Sequence, residues 1–256
     1  MVPDCICMSD LKCSLNMETM KRFVKIIAVA AVGMLSALNL PAKNGVEVGY
    51  LNSTYMTKTD SGESGKSEAM SGFYVGLVKD MRLFAGLSIQ PGLYYSFLNS
   101  TSKNEVPMFN LTNTEHGLNL PIHIKYTFDI VPAFGVYVFA GPTLSLGLAA
   151  TTKMSVTGDV LGNQVNGSVQ YDSYTGKLKS DNISEENMDR INEYMPDSRM
   201  NRFDVLMGGG VGLNFINFIT VKGGVDYGLL NRLKGDLAET GTMNRLQFYV
   251  SVGIMF

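Results

Sequence analysis

Residues 244–256 read NRLQFYVSVGIMF. Counting back from Phe256, every second residue is apolar: Ile254, Val252, Val250, Phe248 and Leu246. The residues between them, Gly253, Ser251, Tyr249, Gln247 and Arg245, are small or polar, with Met255 the exception. A period of two marks a β-strand with one apolar and one polar face. The rest of the chain decides which face meets what.

The pattern recurs seven more times. It is present in VEVGYLN (46–52), GFYVGLV (72–78), LSIQPGLYYSF (87–97) and LNLPIHIKYTF (118–128). It returns in VYVFAGPTLSLGL (136–148), RFDVLMGGGVGLNF (202–215) and TVKGGVDYGLL (220–230). Eight strands follow, and their connections alternate in length. The short ones are KDMR (79–82), DIVPA (129–133) and IN (216–217). The long ones are residues 57–70, 99–115, 150–201 and the dozen around KGDLAETGT. Short turns on one rim and long loops on the other are the plan of an outer-membrane barrel with its short turns in the periplasm. The expected fold is all-β: an eight-stranded antiparallel up-and-down transmembrane β-barrel with long extracellular loops.

The faces separate a membrane barrel from a soluble one. One set of positions carries Glu47, His123, Lys125, Asp204, Lys222, Asp226 and Arg245, and the opposite set carries no charge on any strand. Turning Lys125 and Lys222 outward in a bilayer costs about 2–4 kcal/mol each near the midplane. The charged set is also the glycine-rich one, and small residues relieve crowding in a barrel this narrow. Tyr74, Tyr94, Tyr137, Phe139 and Tyr249 share that set and have the bulk to fill a lumen. The apolar set ends in Tyr50, Tyr95, Phe97, Tyr126, Phe128 and Phe215, a girdle built without Trp. Hydrocarbon leaves no partner for an unpaired N–H, so the strands must close on one another. Pro91, Pro121 and Pro142 conflict with continuous ladders, and bulges or nearby strand ends are expected there.

The front of the chain is of another kind. Lys21, Arg22 and Lys25 precede the apolar run IIAVAAVGMLSALNL (26–40) and then PAK. That is the plan of a secretory signal peptide with cleavage after Ala42. Residues 1–42 are therefore assigned to a leader, with residues 1–16 a mis-assigned start and Met17 or Met20 the beginning. The barrel domain occupies 43–256. All three cysteines (Cys5, Cys7, Cys13) fall in the leader, so the exported part has neither a disulfide framework nor a Cys-based metal site. Removing the leader takes Lys12, Lys21, Arg22 and Lys25 and also Asp4, Asp10 and Glu18, so 21 basic against 23 acidic residues becomes 17 against 20. Such a balance lacks the basic footprint of a nucleic-acid binder.

In GFYVGLV, LSIQPGLYYS, LNLPIHIKYTF, VYVFAGP, GGGVGLNF, VDYGLLN and the terminal Phe256, the chain resembles the PorT-like outer-membrane β-barrel domains of Bacteroidota. The resemblance implies a bacterial outer-membrane location, with outer-membrane lipid and lipopolysaccharide as surroundings. It also implies insertion by the barrel-assembly machinery after transient escort by periplasmic chaperones. The insertion signal would be Phe248, Val250, Val252, Ile254 and Phe256. The group shares no catalytic residues, so none is carried over.

No catalytic, cofactor or metal site emerges from the residues themselves. The interior charges either pair to plug the lumen or line a narrow ion path. His116 and His123 lack a placed serine or acid partner. GGGVG (208–212) lacks the strand–turn–helix setting and the following Lys of a phosphate loop. Within 150–201, Ser184 with Glu185 and Glu186 reads as the start of a short helix, and the loop is a place for an extracellular ligand. Three functions compete: a non-enzymatic barrel with a structural, adhesive or assembly role through its outer loops, a narrow pore or small-molecule conduit, and a lipid-modifying enzyme.

Overall fold

The computed structural model describes residues 42–256 except 61, 104–108, 132, 161–162, 181–198, 217 and 236. The chain divides into residues 1–40 and 41–256. The expected leader thus lies outside the described residues, apart from Ala42, which opens the first strand.

The strands are β1 (Ala42–Thr59), β2 (Ser64–Lys66), β3 (Met70–Phe84), β4 (Leu87–Lys103), β5 (Phe109–Val131), β6 (Phe134–Val160) and β7 (Asn163–Asp172). They continue with β8 (Lys177–Ser180), β9 (Arg199–Met200), β10 (Phe203–Phe215), β11 (Ile219–Gly228), β12 (Leu233–Lys234) and β13 (Gly241–Met255). One helical turn, Leu237–Thr240, precedes β13.

Eight of these strands close a ring in the order β1–β3–β4–β5–β6–β10–β11–β13 and back to β1, every neighbour antiparallel. The seam joins the chain's first and last strands, with Tyr50 opposite Val250 and Val46 opposite Ile254. Backbone bonds between Phe256 and Asn44, at 2.7 and 2.9 Å, finish it. No edge is left within the ring, as a hydrocarbon surround demands.

Burial follows the period of two. In β13, Arg245, Gln247, Tyr249, Ser251 and Met255 are buried, while Phe248, Val250, Val252 and Ile254 are exposed. Large apolar side chains on the outside and charges within invert the soluble plan. Glycine makes the interior possible at two close approaches. A methyl on Gly49 would stand 2.5 Å from Cε1 of Tyr74, and one on Gly224 would stand 2.5 Å from the Tyr249 hydroxyl.

Three sequence expectations are corrected. KDMR is not a turn: β3 runs through it to Phe84, and the reversal falls on Ala85 and Gly86 at φ 44° and 84°. Two positive φ values match the primed hairpin turns that suit strand twist. The prolines do not make bulges. Pro91 pairs with Ile122, Pro121 with Thr143 and Pro142 with Met207, so each keeps its place in one ladder. The irregularities fall instead at Arg82/Phe84, His116/Gly117 and Asp129/Val131.

Residues 150–201 are not simply a loop either. β6 continues to Val160 and turns back as β7 and then β8, hydrogen-bonded throughout. The alternation was there to be found in TTKMSV, but its outward positions are polar and so carried no hydrophobic period. The helix expected at Ser184 lies outside the described residues.

Candidate functional site

The charged side chains lie in the lumen in three tiers. Nearest the short turns, Lys125 of β5 reaches Asp80 of β3 at 2.6 Å, and its ammonium stands 4.3 Å from the centre of the Tyr137 ring. A cavity of about 300 Å³ opens beside this pair, with Lys43, Arg82, Ser88, Thr127 and Asp129 in its wall.

In the middle, Glu47 of β1 accepts from Lys222 of β11 at 2.7 Å and from the Tyr94 hydroxyl at 2.7 Å. Asp226 accepts from the Gln247 amide at 3.0 Å and the Tyr249 hydroxyl at 3.5 Å. The ring of Tyr74 meets Tyr94 and Tyr249 edge-on, with centroids 5.3 and 6.1 Å away. The space left among them is about 50 Å³, room for a few waters and no more.

Toward the long connections, Glu115 of β5 is held by Arg245 of β13, by the Tyr55 hydroxyl at 2.5 Å and by Arg232 at 3.4 Å. Arg245 also donates to Tyr55 at 2.6 Å. Arg232 sits between β11 and β12 with no exposed surface, and it donates to the Tyr174 hydroxyl at 3.3 Å. Tyr174 comes from the turn between β7 and β8 and stacks under Arg202 at 4.6 Å. Two external segments thus reach over the mouth and tie into the wall.

All seven interior residues read from the sequence are buried, but not all pair with one another. Glu47 and Lys222 meet. Lys125 and Arg245 instead take Asp80 and Glu115. Asp204 spends one oxygen on the backbone N–H groups of Val205 (2.8 Å) and Leu230 (3.4 Å), fixing the chain that leaves β11. His123 packs against Phe139 at 5.0 Å with Nε2 unbonded. His116 lies elsewhere, bonded through Nδ1 to the Tyr95 hydroxyl at 2.6 Å.

Asp80 and Glu115 were missed because they fell in segments read as connections, and Tyr55 because it lies just past the end assigned to the first strand. Each has the lumen parity of its strand (Asp80 with Tyr74, Glu115 with His123, Tyr55 with Glu47), so extending the alternation finds them. Arg232 and Tyr174 lie outside any periodic segment, and nothing in the sequence marks them. Among the described residues, no three His, Cys, Asp or Glu side chains gather to hold a metal ion.

A closed antiparallel ring, apolar outside and charged within, defines an integral β-barrel of the bacterial outer membrane. The chain belongs to the family described as outer membrane protein beta-barrel domain, whose model matches residues 39–234. No match is found among curated proteins. Among solved structures, Ail, the attachment invasion locus protein of Yersinia pestis, is similar at 10% identity and a TM-score of 0.40, covering 84% of this chain and 99% of that one. Neisserial surface protein A (NspA) is similar at 12% identity and a TM-score of 0.34, covering 82% and 97%. The outer membrane enzyme PagL is similar at 10% identity and a TM-score of 0.34, covering 78% and 97%. Likenesses at this level carry nothing about chemistry.

Proposed function

We propose that the protein is a non-enzymatic outer-membrane barrel that acts from its external side, in a structural, adhesive or assembly role, with a sealed lumen. One observation carries this reading: aromatic rings and the buried Glu47–Lys222 pair fill the barrel at mid-height, leaving about 50 Å³. A hydrated ion needs a continuous wet path, and at this height Glu47 and Lys222 are spent on each other while Asp226 is held by Gln247 and Tyr249. The unbonded Nε2 of His123 has no hydroxyl or carboxylate partner of the kind a hydrolytic site requires.

Single-channel recording in planar bilayers tests the reading. A flat trace at all voltages is expected, and stepwise conductance would install the narrow pore in its place. Unaltered lipid profiles in a deletion strain are expected as well; a lost lipid modification would point to the enzyme.

We infer further that the chain falls in the PorT-like group, on the motifs quoted above, and that the last strand serves as its insertion signal. Phe248, Val250, Val252, Ile254 and Phe256 all face outward, where an assembly factor has access before closure.

A further inference from the structure

Above the barrel rim the ring opens into a sheet. β4, β5 and β6 run on past the ends of β3 and β10, and β7 and β8 extend them in the order β4–β5–β6–β7–β8. The register carries one face of this sheet directly up from the lipid-facing wall. Within the wall β6 turns Val138, Leu144 and Leu146 outward, opposite Tyr126, Leu120 and Leu118. Past the irregularity at Leu148 the outward positions are Ala149, Thr151, Lys153 and Ser155, with His116, Thr114 and Thr112 opposite the first three. The chemistry changes within one turn of the pleat, from aliphatic to hydroxyl and ammonium.

Lys153 stands opposite Gln170, and Gln170 opposite Lys179. Thr151 stands opposite Asp172, and Asp172 opposite Lys177. Directly opposed residues share a face, so Lys153, Lys177 and Lys179 project to one side, with Lys153 and Lys179 roughly 10 Å apart at the backbone. All three are exposed. Asp172 is the acid in these rows, and its Oδ1 is occupied by the N–H groups of Tyr174 (2.9 Å) and Thr175 (3.2 Å). Lys153 lies five residues beyond Leu148, about 16 Å along the strand and less in height because barrel strands tilt.

We propose that this face docks on the phosphate-bearing headgroups of lipopolysaccharide in the outer leaflet, with Lys153, Lys177 and Lys179 as the phosphate contacts and the threonine hydroxyls facing the sugars. Two observations carry it. The face is continuous with the wall that meets the acyl chains, so the headgroups of those same lipids are its neighbours. Its charge is net positive, three ammonium groups against the single Asp172 carboxylate, which complements phosphate, and basic residues just beyond a membrane span are drawn to anionic headgroups. The inference rests on the reading that the protein works from its external side; a conducting lumen would remove that reading and leave the binding measurement below unchanged.

The test uses the full chain in detergent and isothermal titration with purified lipopolysaccharide. The variant combining Lys153→Ala, Lys177→Ala and Lys179→Ala is expected to bind roughly tenfold more weakly or worse. Arg82→Ala, on the opposite rim, is expected to match the unsubstituted protein. Dephosphorylated lipopolysaccharide is expected to bind the unsubstituted protein as weakly as the triple variant binds the intact lipid. A heat-modifiable band shows that the triple variant is folded. Equal affinity of the triple variant and the parent overturns the proposal, and so does equal binding of the dephosphorylated lipid. Competition by a soluble phosphorylated sugar as strong as by the lipid itself also overturns it, because the partner would then be a soluble polyanion.

Discussion

Lys222 lies 2.7 Å from Glu47 across the lumen, linking β11 to β1 over the intervening β13. Glu47 has no exposed surface, and its other oxygen has no partner. The pair therefore clamps both sides of the strand that closes the barrel.

Removing one partner leaves a bare charge inside. Lys222→Ala is expected to lower stability by about 3–5 kcal/mol, whereas Glu47→Gln with Lys222→Met recovers most of the loss. Urea unfolding in lipid vesicles reads both. A single variant as stable as the parent would mean that water already solvates the site.

Tyr74, Tyr94 and Tyr249 close the lumen at mid-height, so Tyr→Ala at all three is expected to produce conductance steps that the parent lacks. Planar-bilayer recording decides. A silent triple variant would move the seal to the Glu115–Arg245–Arg232 tier.

Gly224 faces the Tyr249 hydroxyl too closely for a methyl group. Gly224→Ala is expected to cost about 1–3 kcal/mol, and adding Tyr249→Leu is expected to relieve it. Thermal gel-shift midpoints separate the two, and no cost in the single variant would show that the ring moves freely.

Orientation follows from the turn lengths. The chain has no cysteine beyond Cys13, so in a background with Cys5, Cys7 and Cys13 replaced single cysteines report cleanly. Lys179→Cys is expected to react with an impermeant maleimide on intact cells, and Ala85→Cys only after the outer membrane is breached. The reverse pattern would invert the barrel.

Phe256 contributes backbone bonds to Asn44 that any residue can make. Phe256→Ala is therefore expected to refold normally in detergent yet accumulate unassembled in cells, several-fold below the parent in heat-modifiable material. Equal assembly in cells would strip the terminal aromatic of its role as a signal.

Strand number, the lipid-facing set and the burial of Glu47, Lys125, Lys222 and Arg245 follow from the period of two and the cost of a charge in hydrocarbon. Both are local properties, readable along one strand at a time. The extents were harder. KDMR and residues 99–102 and 110–115 look like connections because their outward positions are polar or mixed, and that concealed Asp80 and Glu115. Above the membrane the outward face loses its hydrophobic demand, so β6 to β8 keep their hydrogen bonds without keeping the pattern.

Which acid meets which base was decided only by closure. Glu47 and Lys222 are 175 positions apart in sequence, and they meet because the stagger of β1, β13 and β11 brings them to one height. Arg232 reaches Glu115, and Tyr174 reaches Arg232, from segments with no period at all. Alternation sets what a residue must face; shear and ring size, which belong to all eight strands together, set whom it meets.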